Sequence, residues 1–171
     1  RMAPLVEVLK RQFDAAAAKL ERLLKRDPKL GQAWLTLATI RRVQGRYDAS
    51  DRSGKDVCRA DLCERVGFDP ADPRPILAVV GRLDPQKGFD LVAGAAADLV
   101  ARGARIVALG SGDPDLVRGV REAAGDAPDR IAMIERFDRD LARRIYAGAD
   151  LFAMPSRFEP CGQGQMIAMR Y

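Results

Sequence analysis

ILAVV, at residues 76–80, is an unbroken apolar run of strand length, and it decides the fold class. A strand that is apolar at every position is typical of a parallel sheet covered on both faces. Further strands are predicted at 105–109, 130–134 and 151–154, and helices at 54–66, 88–102, 114–124, 138–147 and from about Gly162. Because strands and helices alternate after residue 76, the sequence predicts an α/β domain with a parallel sheet.

Residues 1–46 have a different pattern, which predicts only helices. Apolar residues recur at helical spacing in two segments that are separated by Asp27-Pro28, and the second segment contains Trp34. Phe13-Asp14-Ala15 recurs as Tyr47-Asp48-Ala49 after 34 residues, which is the tetratricopeptide period. Both a tetratricopeptide-like segment and an ordinary helical hairpin are consistent with this pattern.

Charge distribution and aromatic content argue against a nucleic-acid partner, and the length of the apolar runs argues against a membrane partner. The net charge is +5, but acids are interspersed among the basic residues and aromatics make up only 6% of the chain. A nucleic-acid site needs a concentrated basic stripe with aromatic side chains. A membrane-spanning helix needs about 20 consecutive apolar residues, and no such run occurs.

The cysteine and histidine content restricts the chemistry. The chain has three cysteines, Cys58, Cys63 and Cys161, and no histidine. An odd cysteine count without a signal pattern predicts a cytoplasmic protein. Without histidine, neither a Cys/His zinc site nor a Ser-His-Asp triad is expected in this chain, so we predict no metal site.

Two cations follow the first strand. In Gly81-Arg82-Leu83-Asp84-Pro85-Gln86-Lys87-Gly88, Lys87 precedes a predicted helix, whose dipole disfavours a cation there. A bound anion would remove that conflict and use the free backbone N–H groups. Arg82 and Lys87 as solvated loop cations are an equally good interpretation of this motif alone.

Gly110-Ser111-Gly112-Asp113-Pro114 follows the second strand. Glycine permits close approach of a ligand to the backbone. A tight turn explains Gly110 equally well, and Asp113 before Pro114 is more typical of a helix N-cap.

The most informative motif follows the fourth strand: Pro155-Ser156-Arg157-Phe158-Glu159-Pro160-Cys161-Gly162-Gln163-Gly164-Gln165. A carboxylate stands just before a helix whose first N–H groups could hold an anion. The alternative is a helix cap with an exposed glutamate. N–H groups for phosphates beside a carboxylate for sugar hydroxyls suit a sugar diphosphate. Because Arg82 and Lys87 lie two loops away at the same edge of the sheet, we favour that site.

Taken together, these motifs resemble the glycogen/starch synthase family. The matching segments, in the family's order and spacing, are residues 47–55, 81–88, 109–114, 145–150 and 155–162. The resemblance implies a Rossmann-like sheet, the C-terminal domain of a GT-B glycosyltransferase, here truncated and preceded by a helical hairpin. The implied reaction transfers glucose from ADP-glucose, with retention, to the non-reducing end of an α-1,4-glucan. ADP-glucose is a substrate, and no cofactor is implied.

Residue roles also come from the resemblance. Arg82 and Lys87 would neutralise the leaving diphosphate, and Glu159 would be the active-site carboxylate. Substrate-binding positions would be Gly110, Phe137 (stacked on adenine), Cys161, Gly162, Gln163 and Gly164. The last two replace the family's usual Leu-Thr, and Gly164 is expected to loosen that turn.

The chain is therefore divided into residues 1–46, tetratricopeptide-like, and residues 47–171, an incomplete nucleotide-sugar-binding domain. Since it begins at Arg1 and ends at Tyr171 within a predicted helix, we expect an enzyme fragment that is inactive alone. The alternative is a non-catalytic adaptor, with N-terminal helices for a protein partner and a domain that binds a sugar nucleotide.

Overall fold

The computed structural model describes residues 3–27 and 53–169. Its first helix, α1, spans Ala3–Arg26 and ends just before Asp27-Pro28, as the proline predicts. The predicted helix that contains Trp34 lies outside the described residues, and so does the boundary between residues 46 and 47. The tetratricopeptide interpretation and the division into two domains therefore stay predictions.

Residues 53–169 form an α/β unit. Its helices are α2 Ser53–Val66, α3 Phe89–Ala101, α4 Pro114–Asp126, α5 Arg139–Gly148 and α6 Gln163–Ala168, with a 3₁₀ turn at Pro85–Lys87. Its strands are β1 Ile76–Val80, β2 Arg105–Leu109, β3 Ile131–Ile134 and β4 Leu151–Phe152. Each predicted strand and helix of this part is present. Among the helices of residues 3–27 and 53–169, none has the length and apolar character that a membrane crossing requires.

The strands form one parallel sheet in the order β3-β2-β1-β4 within the described part. Strand β4 is two residues shorter than predicted, although the Ala153 N–H still donates to the Ala78 carbonyl at 2.7 Å. The chain then leaves the sheet towards Pro155. Because all four strands are parallel, their carboxyl ends lie at one edge, where the predicted motifs also lie.

Both faces of the sheet are covered. Ile76, Ala78 and Val107 pack with residues of α2 and α5 on one face. Val79 and Ile106 pack with α3 and α4 on the other. Successive side chains of a strand point to opposite faces, so both faces must be apolar, and this accounts for the continuous apolar runs.

Arg105, at the amino end of β2, is a buried cation that the sequence did not reveal. Its side chain is 0% exposed, and its guanidinium donates to the carbonyl oxygens of Asp69 (3.0 Å), Asp72 (3.0 Å) and Arg74 (2.9 Å). The Asp72 carboxylate lies 3.8 Å away, and the Phe68 ring 5.4 Å from the guanidinium carbon. Arg105 thereby fixes the loop that leads into β1.

Two residues of the matching segments serve the fold. The Lys55 ammonium donates to the carbonyl oxygens of Ala147 (2.7 Å) and Ala149 (2.5 Å), at the carboxyl end of α5, where the helix dipole favours a cation. The Asp150 carboxylate accepts from the Ile76 N–H at 2.8 Å, at the start of β1. Both lie away from the carboxyl edge of the strands.

Candidate functional site

A cleft of about 710 Å³ opens at the carboxyl ends of β1 and β2, beside the loop that follows β3. Its volume is typical of a site for a small molecule. The lining residues are Val80, Gly81, Arg82, Leu109, Gly110, Ser111, Arg136, Phe137, Asp138, Arg139, Ala142, Arg143, Tyr146 and Ile167. Of the predicted site residues, the cleft thus brings Arg82, Gly110 and Phe137 together.

The loop after β1 is organised by Asp84, which the sequence analysis did not assign. Its carboxylate accepts from the Gln86 and Lys87 N–H groups at 2.9 and 3.1 Å, and from Arg82 Nε at 2.8 Å. Burial alone would raise the pKa of Asp84, but these hydrogen bonds outweigh it and the pKa lies below its usual value. An internal carboxylate therefore occupies the N–H groups of Gln86 and Lys87, whereas an anion bound by the N–H groups at the start of α3 stays a prediction. The Arg82 guanidinium itself remains largely exposed.

The loops after β1 and β2 are paired beyond the strands. Leu83 donates to the Ser111 carbonyl at 3.0 Å and accepts from the Asp113 N–H at 2.8 Å. A Cβ at Gly110 would overlap the Gly81 carbonyl oxygen, so packing alone requires glycine there. Asp113 caps α4, as predicted, through the N–H groups of its first turn. Gly110 borders the cleft, but its role towards a ligand stays a prediction.

Phe137 is 88% exposed at the rim of the cleft. Next to it, Asp138 caps α5 by accepting from the Leu141 N–H at 2.9 Å and pairs with Arg136 at 2.9 Å. The hydrogen bond from the Leu141 N–H is the main cause that holds the pKa of Asp138 below its usual value, and the bond from Arg136 lowers the pKa further. A large aromatic side chain with so little cover has an open face for a planar ligand.

Helix α5 contributes a wall of the cleft that the sequence analysis missed. Arg139, Ala142, Arg143 and Tyr146 line the cleft, and their spacing places them on one face of the helix. Helical periodicity, applied to a helix at the carboxyl edge of the sheet, could have identified this face. It makes the rim beside Phe137 cationic.

The loop after β4 brings Glu159 to Lys87. Glu159 Oε2 lies 2.5 Å from Lys87 Nζ and accepts from Ser156 Oγ at 3.2 Å, while Oε1 accepts from the Gly162 N–H at 3.3 Å. The hydrogen bond from Lys87 is the main cause of a lowered pKa at Glu159. Of the alternative, a helix cap with an exposed glutamate, the exposure is wrong because the side chain is only 23% exposed, whereas the hydrogen bond from the Gly162 N–H is consistent with a cap. The electrostatic conflict predicted for Lys87 is relieved, in this structure, by a carboxylate of the chain itself.

The remaining predicted residues surround the start of α6. Gly162 precedes the helix with φ 61°, a left-handed conformation that favours glycine. Cys161 and Gln163 are exposed. A Cβ at Gly164 would make only ordinary contacts with the Phe152 ring, at 3.4 Å, so these contacts do not require glycine there. The substrate contacts predicted for these four positions stay predictions.

Residues 74–171 match the family described as "Glycosyl transferases group 1". A glycogen synthase from Anaeromyxobacter sp. (strain Fw109-5) is 48% identical over 134 residues, which are 78% of this chain and 28% of that protein. A glycogen synthase from Streptococcus sanguinis (strain SK36) is 45% identical over 125 residues, covering 73% of this chain and 26% of that protein.

Among solved structures, the chain is similar to the catalytic domain of Starch Synthase IV from Arabidopsis thaliana bound to ADP and acarbose. The identity is 36% and the TM-score 0.67, over 73% of this chain and 26% of that one. The chain thus spans between a quarter and a third of the length of these relatives.

Proposed function

Because the chain belongs to the group 1 glycosyl transferases, as a C-terminal domain of the glycogen/starch synthase type, we propose that it binds the donor ADP-glucose. The reaction would transfer glucose to the non-reducing end of an α-1,4-glucan, with the rest of the enzyme supplying the acceptor site. One observation carries the proposal: Lys87, in the loop after β1, pairs with Glu159, in the loop after β4, and Arg82 of the same loop after β1 lines a cleft of nucleotide size. The ADP in the similar starch synthase structure supports it.

The cations serve the leaving group. Arg82 and Lys87 would hold the diphosphate and stabilise the negative charge that develops on it as the bond to glucose breaks. For this, each cation has to exchange an internal carboxylate for phosphate, Asp84 in the case of Arg82 and Glu159 in the case of Lys87.

The nucleoside and the sugar would lie at opposite ends of the diphosphate. Phe137 would stack on the adenine, and Gly110 would allow the nucleotide to approach the backbone. Glu159 would accept hydrogen bonds from glucose hydroxyls, next to backbone contacts at Cys161 and Gly162. Gln163 and Gly164 would contribute backbone N–H groups to the phosphates.

We expect Arg82→Ala and Lys87→Ala each to weaken ADP binding by about tenfold. A hydrogen bond to a charged group contributes about 1.5–3 kcal/mol, and the expected loss lies at the lower end because each cation gives up an internal partner. Calorimetry on the 171-residue chain would measure it, with a larger loss at low salt. Arg118→Ala, in an exposed ion pair on α4, is the matched control. Unchanged affinity in both variants would place the diphosphate elsewhere.

Phe137→Ala is also expected to weaken ADP binding by about tenfold, since stacking of a base on an aromatic ring contributes about 1–3 kcal/mol. Inorganic pyrophosphate has no base, so its affinity should not change. Phe137→Tyr keeps the ring and should retain ADP affinity. An equal loss for ADP and pyrophosphate in Phe137→Ala would contradict stacking and indicate damage to the phosphate site.

A further inference from the structure

Without a ligand, the carboxylate of Glu159 already has partners on both oxygens. Lys87 Nζ lies 2.5 Å from Oε2, to which Ser156 Oγ also donates, and the Gly162 N–H donates to Oε1. The two charged side chains are only 26% and 23% exposed. The cation proposed for the phosphates and the carboxylate proposed for the sugar are therefore bound to each other.

Further contacts between the loops after β1 and β4 hold Lys87 and Glu159 close to each other. The Arg157 guanidinium binds both oxygens of Asp90, at 2.8 and 2.6 Å, and the Pro85 carbonyl at 2.7 Å. Its backbone N–H donates to the Gln86 carbonyl at 2.7 Å. The loops after β1 and β4 are thus fastened together just beside Lys87. Because the loops already hold Lys87 and Glu159 close together, their pairing requires no further ordering of the backbone, so we expect it to persist in solution.

Bare ADP and ADP-glucose would break this pair at different cost. Either nucleotide has to draw Lys87 away from Glu159. After ADP binds, Glu159 keeps only the Ser156 and Gly162 donors, and its negative charge faces the negative phosphates. ADP-glucose brings sugar hydroxyls that can replace Lys87 as donors to Glu159.

Resting on the proposed function, we propose that Glu159 determines the site's preference between donor and product, because it competes with phosphate for Lys87. The competition weakens ADP binding. For ADP-glucose, the sugar hydroxyls offset it by donating to Glu159. Product would therefore dissociate more readily once the glucose has been transferred. This specificity role is separate from any contact that Glu159 makes with the reacting sugar.

The test measures ADP and ADP-glucose binding to the 171-residue chain by calorimetry. Glu159→Gln removes the charge and keeps the shape, so ADP should bind about three- to fivefold more tightly, the range of a partly exposed ion pair. The affinity for ADP-glucose should not increase, so the dissociation constant of ADP should fall relative to that of ADP-glucose. Glu159→Ala, as a second variant, should shift the ratio of the two dissociation constants in the same direction. Ser156→Ala, which removes a hydrogen bond from the same oxygen but no charge, should leave the ratio unchanged.

The Lys87→Met variant tests whether Lys87 is the group for which Glu159 and phosphate compete. In that background Glu159→Gln should tighten ADP binding by a smaller factor than in the original chain, because no ammonium remains to be released. Unchanged or weaker ADP binding in both Glu159 variants would overturn the inference while leaving the proposed function standing. If the unaltered chain binds neither nucleotide, the proposed function fails and the inference fails with it.

Discussion

Replacing Arg105 with methionine is expected to lower the free energy of unfolding by about 1.5–3 kcal/mol, the contribution of hydrogen bonds to a charged group. Methionine fills similar space but removes the Arg105 guanidinium from the carbonyl groups of Asp69, Asp72 and Arg74, of which the last two keep Arg59 as a donor at 3.0 and 2.7 Å. Arg105→Lys should also destabilise the fold, because an ammonium cannot reproduce the planar fork that serves several carbonyls at once. Urea unfolding followed by circular dichroism would measure both.

Arg118→Ala is the matched control, since it removes an arginine from an exposed pair and should change stability by less than about 1 kcal/mol. ADP affinity measured well below the unfolding transition should be retained in Arg105→Met, because Arg105 lies at the amino end of β2 and the cleft at the carboxyl end. A loss of stability no larger than the control's would contradict the role given to Arg105. A loss of ADP affinity in folded Arg105→Met, but not in Arg118→Ala, would show that replacing Arg105 also alters the cleft.

Features that depend on local sequence could be predicted well. β1 and β2 have the predicted bounds, because an apolar run of four or five residues next to loop residues is long enough for a strand and too short for a helix. The N-cap at Asp113 was also predictable from local sequence, because a capping carboxylate accepts from N–H groups two and three residues further along. Alternation of strands and helices then placed the motifs at one edge of the sheet.

Features that depend on distant partners could not be predicted. Arg105 begins a strand, and nothing next to it in the sequence shows that its acceptors lie in the loop that precedes β1. The sequence placed Lys87 and Glu159 at the same edge, but not in contact, because their pairing depends on how two loops 72 residues apart are joined. Asp84 was missed because both cations beside it were assigned to a ligand.

In a complete enzyme, Glu159→Ala is expected to lower kcat for glucose transfer by about 10²–10³-fold, the range found when one preorganised hydrogen-bonding group is removed from an active site. A suitable enzyme is the Anaeromyxobacter glycogen synthase in which the matching 134 residues of this chain replace the corresponding segment. Radiolabelled ADP-glucose and a glycogen primer would provide the assay. The same substitution should not weaken ADP binding, because the proposed partner of Glu159 in the complex is the sugar.

Two controls separate chemistry from folding and assembly. The chimera with Arg118→Ala should keep its rate, since that arginine lies on the exposed surface of α4. The 171-residue chain alone should bind ADP but incorporate no glucose, because transfer needs the acceptor hydroxyl held about 3–3.5 Å from the donor carbon. This chain spans only 28% of that relative's length. Full activity of the Glu159→Ala chimera would show that Glu159 has no role in the reaction. Incorporation of glucose by the isolated chain would show that the chain binds the acceptor without the rest of the enzyme.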